Sequence, residues 1–138
     1  MPYPEMLVAP MRAELTREGF EELKSVEEVN EAMNQADGTA LLVVNSVCGC
    51  AAGSARPGVL KSLEGDKKPN RLLTVFAGQE VDAVTKAREY LLPYPPSSPS
   101  IALFKDGELV HFIERHNIEG RTAEMISENL KAAYQQFC

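Results

Sequence analysis

The chain has no tryptophan, two histidines and three cysteines in 138 residues. Three cysteines are too few for a disulfide framework, and Cys48 and Cys50 are near neighbours while Cys138 is the last residue. Positive charge is scarce as well: 14 Lys and Arg face 20 Asp and Glu, a formal net charge of −6. That balance withholds the basic face needed by a nucleic-acid or anionic-membrane partner, so neither is expected. Long hydrophobic runs are missing too. The longest, Ala40–Val44, is far short of the roughly 20 residues that cross a bilayer. Met1-Pro2-Tyr3-Pro4-Glu5 carries no basic residue before Arg12 and is not read as a signal peptide. No repeat or Gly/Ser linker divides the chain, and Pro93–Ser100 reads as a rigid turn region. What remains is 44% hydrophobic and 25% charged, ordinary for a globular chain that folds without a staple. The expectation is one cytoplasmic domain over residues 1–138, with residues 1–19 as an N-terminal helical extension, whose cysteines have chemical work.

Local signals place the elements. Pro10 suits a first helical turn, and Gly19 suits a left-handed stop, so a helix is expected from Pro10 to Glu18. Phe20–Leu23 follows as a short strand. Ser25-Val26-Glu27-Glu28 reads as a capping box opening a helix with Val26, Val29, Met33 and Ala36 on one face, ended by Asp37-Gly38. Ala40–Val44 and Arg71–Phe76 are continuous apolar runs, the pattern of strands covered on both faces. Between them Ala51–Leu63 reads as a helix in which Pro57 introduces a kink. Val81, Val84, Arg88 and Leu91 mark another helix. Asp106-Gly107 joins Ile101–Phe104 to Leu109–Ile113 as a hairpin, and Arg121–Phe137 is the last helix. Right-handed crossovers then give an α/β fold, a three-layer sandwich with a mixed central sheet and helices on both faces.

Cys48-Gly49-Cys50 lies where an apolar strand ends and a helix begins. Open α/β sheets place reactive groups beyond the carboxyl ends of their strands. Unpaired N–H groups and the positive dipole end of a first helical turn favour an anion there, and the thiolate is the nucleophilic form of cysteine. Cys48, further out on the loop, is read as the attacking sulfur. Residues two apart in a helix diverge by about 200°, so closing a Cys48–Cys50 disulfide demands a non-helical segment, with Gly49 supplying the dihedrals. A small, strained ring is easily reduced, which suits a resolving pair rather than a permanent clamp. Inert packing and a metal site are the competing readings. A zinc shell would need two further ligands, and His111 and His116 lack ligand-like spacing. Arg56 reads either as an anion-binding group or, preferably, as a snorkelling helix residue.

Two stretches carry a resemblance to known proteins. Ser98-Pro99-Ser100-Ile101-Ala102-Leu103-Phe104, running into Asp106-Gly107, is similar to the thioredoxin-fold segment in which a cis-proline opens the terminal hairpin. The resemblance implies that Pro99, with Ser98 before it, stands beside the cysteines and helps seat substrate backbone. Asn45-Ser46-Val47-Cys48-Gly49-Cys50-Ala51-Ala52-Gly53-Ser54-Ala55-Arg56-Pro57 resembles the signature of the bacilliredoxins, thioredoxin-like proteins with a C-G-C site. Met11–Leu15 and Arg115–Gly120 resemble further parts of that family.

The resemblance implies an enzyme that removes bacillithiol, a small thiol, from mixed disulfides on cytosolic client proteins. Cys48 would take the adduct, and Cys50 or a second bacillithiol would then release it, with no cofactor and no metal. Unlike thioredoxins, Ala40–Val47 holds no carboxylate, so proton management would fall to water, Ser46, Ser54 or the helix end. A disulfide isomerase or general reductase, a redox-sensing or metal-binding module, and a purely structural adaptor are the alternatives.

Overall fold

A computed structural model describes residues 2–35 and 37–138. At its centre a five-stranded sheet runs β1-β3-β2-β4-β5, built from Glu21–Glu22 (β1), Thr39–Asn45 (β2), Arg71–Phe76 (β3), Ser100–Lys105 (β4) and Glu108–Ile113 (β5). β1, β3 and β2 are parallel; β4 is antiparallel to β2, and β5 to β4. All seven residues of β2 are buried, as its uninterrupted apolar sequence requires of a strand covered on both faces. Asp106 and Gly107 take φ of 50° and 85°, the paired positive values of a tight hairpin turn.

One layer packs α2 (Val26–Met33) and α4 (Val81–Glu89) on Leu42, Val44, Leu73, Val75 and Ala102. The other packs α1 (Glu5–Thr16), α3 (Arg56–Ser62) and α6 (Ala123–Phe137) near Leu41, Val43, Ile101 and Leu103. This alternation along β2 is the period-two geometry of a strand feeding two cores. Burying each such side chain contributes about 1.5–3 kcal/mol, so the two clusters hold the layers together. The arrangement is the three-layer α/β sandwich that the sequence led one to expect. Among the described residues no helix is long and apolar enough to cross a membrane.

Several boundaries depart from expectation. α1 begins at Glu5, not Pro10, and runs through Pro10. Proline there removes a bond to the Met6 carbonyl, but both residues lie on the exposed side of the helix, while Val8, Arg12 and Leu15 anchor the buried side. Gly19 does provide the left-handed stop, with φ 98°. At α2 the Glu28 N–H donates to Ser25 Oγ at 3.1 Å, yet the Glu28 carboxylate accepts from Lys24 N–H rather than from Ser25. Ala36 lies outside the described residues. A short helix, α5 (Arg115–Ile118), and a Thr122 cap on α6 were not anticipated.

Candidate active site

β2 delivers the chain to the site through Asn45 and Ser46, both buried. Asn45 is fixed on every side: its Nδ2 donates to the Met11 carbonyl at 3.2 Å, and its Oδ1 accepts from Ser46 N–H and from Arg56. Arg56 is 1% exposed. Its Nη1 donates to Asn45 Oδ1 and to the Ser46 carbonyl, both at 2.8 Å, and its Nε pairs with Glu14 at 3.0 Å. So Arg56 neither snorkels nor reaches a ligand. Complete burial forces every one of its polar contacts onto protein groups, and it clamps α1, α3 and the end of β2 together.

From that clamp the chain turns into the cysteines. Ser46 Oγ accepts the Cys48 N–H at 3.1 Å. Helical backbone then starts at Gly49, so the expectation of a non-helical Cys48-Gly49-Cys50 segment is corrected. Both thiols are free, so nothing requires the two sulfurs to converge. Cys48 instead occupies the capping position, its carbonyl accepting from Ala51 at 2.9 Å and Ala52 at 3.3 Å. Its sulfur accepts the Cys50 N–H at 3.4 Å, the role a Ser or Asp oxygen plays at other helix starts. Pro57 has no N–H for the preceding turn, and the backbone widens into a π-helical turn over Ala51–Ala55 before α3.

The two sulfurs are electrostatically unlike. A hydrogen bond from the Cys50 thiol holds the Cys48 thiol below its ordinary range, against a burial cost. The Cys50 N–H, the Arg115 charge and the Ala51 N–H add to the lowering. Cys50 moves the other way: burial, then the bond to Cys48 and the charge on it, push its pKa up. One sulfur is set to be the anion and the other to keep its proton.

They also face different surroundings. Cys48 lines a cleft of about 490 Å³ together with Ser46, Gly78, Ser98, Arg88 and Arg115, whereas Cys50 packs against the core layer of α3 and α6. The Ser98–Pro99 bond is cis, and so is Leu92–Pro93. Ser98 is a wall of the cleft and Pro99 is buried behind it. Tyr3 forms another wall: its N–H and carbonyl exchange bonds with the Gln79 side chain at 2.6 and 3.0 Å. A larger hollow, about 660 Å³ near Glu18, Lys68 and Asn70, holds no cysteine.

Of the residues expected at the site, Cys48, Gly49, Cys50, Ser98 and Pro99 come together. Arg56 sits behind them as a structural clamp. Ser54 Oγ donates to the Arg121 carbonyl and does not serve the thiols. Arg88 and Arg115 were not expected at the site: Arg88 was read only as a helix residue and Arg115 only as part of a stretch resembling the family, and α4 and α5 bring them to the cleft from distant sequence. His111 is tied to Asn129 at 2.6 Å, and among the described residues no group of three or more His, Cys, Asp or Glu side chains gathers to hold a metal.

The family described as disulphide isomerase matches residues 3–138. A bacilliredoxin of Cytophaga hutchinsonii is 64% identical over 134 residues, covering 97% of this chain and 98% of that protein. The chain belongs to the bacilliredoxin family. Another bacilliredoxin, from Halalkalibacterium halodurans, is 57% identical over 99% of this chain and 94% of its own length. Mitochondrial thioredoxin 3 from Saccharomyces cerevisiae, in its oxidised form, superposes with a TM-score of 0.57 at 16% identity, covering 89% of this chain and 98% of that one. That likeness establishes a thioredoxin fold. Family membership places the chain among thiol–disulfide oxidoreductases.

Proposed function

We propose that the protein removes bacillithiol from S-bacillithiolated cytosolic proteins, as a single domain over residues 1–138 with residues 1–19 as an extension built onto it. The observation that carries this reading is the asymmetry of the thiols, with Cys48 lowered and open to the cleft and Cys50 raised and set behind it. The Cys48 thiolate attacks the bacillithiol sulfur of a protein–S–S–bacillithiol adduct. A Cys48–bacillithiol disulfide forms, and the client cysteine leaves as a thiolate. Cys50 then gives up its proton and displaces bacillithiol, closing Cys48–Cys50; a second bacillithiol thiol can perform the same release. Across the two exchanges two electrons pass from the Cys48–Cys50 dithiol to the client's mixed disulfide, so neither exchange calls for a cofactor or metal, and a further thiol reductant must reopen Cys48–Cys50 before the next turnover.

Closing the pair requires the first helical turn to open. Gly49 is the place for it, since nothing lies within 4 Å of where a Cβ would stand. Ser98 and the cis Pro99 present a wall along which client backbone would lie, and Ser46 steadies the Cys48 amide.

The test is release of bacillithiol from a bacillithiolated protein. Cys48→Ala abolishes release, and Cys50→Ala leaves a Cys48–bacillithiol adduct visible in the intact mass. An adduct trapped by the Cys48 variant instead would reverse the roles. The family description as disulphide isomerase favours a second reading, rearrangement of client disulfides by the same Cys48 thiolate. Refolding of a scrambled disulfide protein without any release of bacillithiol would select it.

A further inference from the structure

The protein carries 20 acidic residues against 14 basic ones, yet among the described residues no carboxylate lines the Cys48 cleft, whereas two guanidinium groups do. Arg88 comes from α4. Its Nε is buried without a hydrogen-bond partner, and among the described residues its side chain has no salt bridge. The other arginines with buried guanidinium atoms differ in having anion or carbonyl partners: Arg12 and Arg56 meet carboxylates or protein carbonyl oxygens, and Arg71, whose Nε is likewise unpartnered, donates through its two Nη groups to the Ala32 and Gln35 carbonyls. Arg115 comes from the first turn of α5. It donates to the Ser98 carbonyl at 3.3 Å and meets Glu119 at 3.3 Å, leaving other N–H groups of its fork uncommitted, and its charge is felt at both sulfurs. Burial acts on Arg88 with no anion to offset it.

Leaving a partly buried guanidinium unpaired is costly, and a folded chain with acidic residues to spare ordinarily pairs it. A planar fork of N–H donors matches a carboxylate better than any neutral group. The cleft, at about 490 Å³, is of the size that takes a small molecule. We infer that Arg88 and Arg115 form a carboxylate-binding subsite beside Cys48, which selects acidic small thiols as the group transferred to the Cys48 sulfur. The inference rests on Cys48 as the attacking sulfur. It assigns specificity to Arg88, whose charge sets which disulfides are attacked fastest.

The exchange itself is balanced: the Cys48 thiolate forms one new S–S bond, one S–S bond breaks, and half of the incoming disulfide leaves as a thiolate. The carboxylate on the retained half is what Arg88 and Arg115 hold.

The test compares two alkylating reagents, anionic iodoacetate and neutral iodoacetamide, on the Cys48 peptide resolved by mass spectrometry. Because both consume the same thiolate, their rate ratio is independent of the Cys48 pKa. The ratio is expected to exceed that of a free cysteine amide in the same buffer, despite the net negative charge of the protein. Arg88→Gln and Arg115→Gln should each lower it by about tenfold, the loss of a charge-assisted bond. Lys105→Gln removes the same unit of charge at the far end of β4 and should leave the ratio unchanged. The ratio of rates with dithiodipropionate and with neutral hydroxyethyl disulfide should move in parallel. Equal ratios in wild type, both arginine variants and the lysine variant would overturn the subsite. Slow alkylation of Cys48 by both reagents would count instead against Cys48 as the attacking sulfur, while the ratio would still decide the subsite.

Discussion

Arg56, bonded to Asn45 and Ser46 before the cysteines, and Arg88, which lines the cleft beside Cys48, are treated in opposite ways. Arg56 is fully buried, and its guanidinium meets a carboxylate, a side-chain amide and a backbone carbonyl. Arg88 is half-buried at the cleft, with an Nε that has no hydrogen-bond partner among the described residues. The first arrangement commits Nε and Nη1 to holding the chain; the second keeps donors in reserve for something that arrives. Arg12 repeats the Arg56 pattern, joining Glu5, Glu22 and Glu80 and lying 5.2 Å over the Phe76 ring, so that α1 is riveted to the sheet edge. Its three carboxylates outweigh the burial that would otherwise lower its pKa, and the net effect is to raise it. The N-terminal segment is therefore part of the site's frame: it supplies Glu14 to Arg56, the Met11 carbonyl to Asn45 and Tyr3 to the cleft wall.

The sharpest way to break the contrast is at the sulfurs themselves. Replacing Cys48 with Ser should remove thiol exchange altogether, whereas Cys50→Ser should retain the first exchange and stall with an adduct, both read by intact mass. Since exchange and alkylation track the thiolate, the rate at Cys48 should level off at a lower pH than the roughly 8.5 typical of a free cysteine. Titrating the iodoacetamide rate checks this. A midpoint at or above that of free cysteine would show that the helix mouth does not hold the anion.

Next in size is Arg56 itself. Arg56→Met leaves Asn45 Oδ1, the Ser46 carbonyl and Glu14 without their partner, and should cost about 3 kcal/mol in urea unfolding. Arg88→Met strips no protein group of a partner and should stay within about 0.5 kcal/mol. If both variants lose similar stability, the division between holding and receiving arginines fails.

The glycines of the helix after the cysteines give a smaller contrast. A Cβ on Gly58 would stand 2.6 Å from Ile126 Cβ and 3.0 Å from the Ala123 carbonyl, where α3 crosses α6. Gly58→Ala should destabilise by about 1–3 kcal/mol through overpacking. A Cβ on Gly53 would meet nothing within 4 Å, and Gly53→Ala should stabilise by about 0.5–1 kcal/mol through helix propensity. Thermal or urea midpoints of the two variants should move in opposite directions.

Much of the frame could be read from short stretches. The Ser25 cap, the Asp106-Gly107 turn, the Gly19 stop and the runs of β2 and β3 each depend on a few adjacent residues, so their signals survive without tertiary context. Cys48 and Cys50 were legible for the same reason, since a strand end, a C-G-C and a helix start follow one another directly. The start of α1 was not. Pro10 points to a helix beginning there, and only the docking of Val8, Arg12 and Leu15 makes the earlier turn worth forming. Arg56 was legible as a helix residue but not as a clamp, because its partners lie on α1 and at the end of β2.

The sequence by itself determined the alternation of apolar strands and capped helices, and with it the sandwich and the placing of two thiols at a helix mouth. Hydrogen bonds and periodicities within one segment suffice for that. The tertiary structure alone decided which arginines are spent and which are free, and what else borders the cleft. Those properties come from charges and burial contributed by α1, α4 and α5, elements that meet around Cys48 only after the chain has folded.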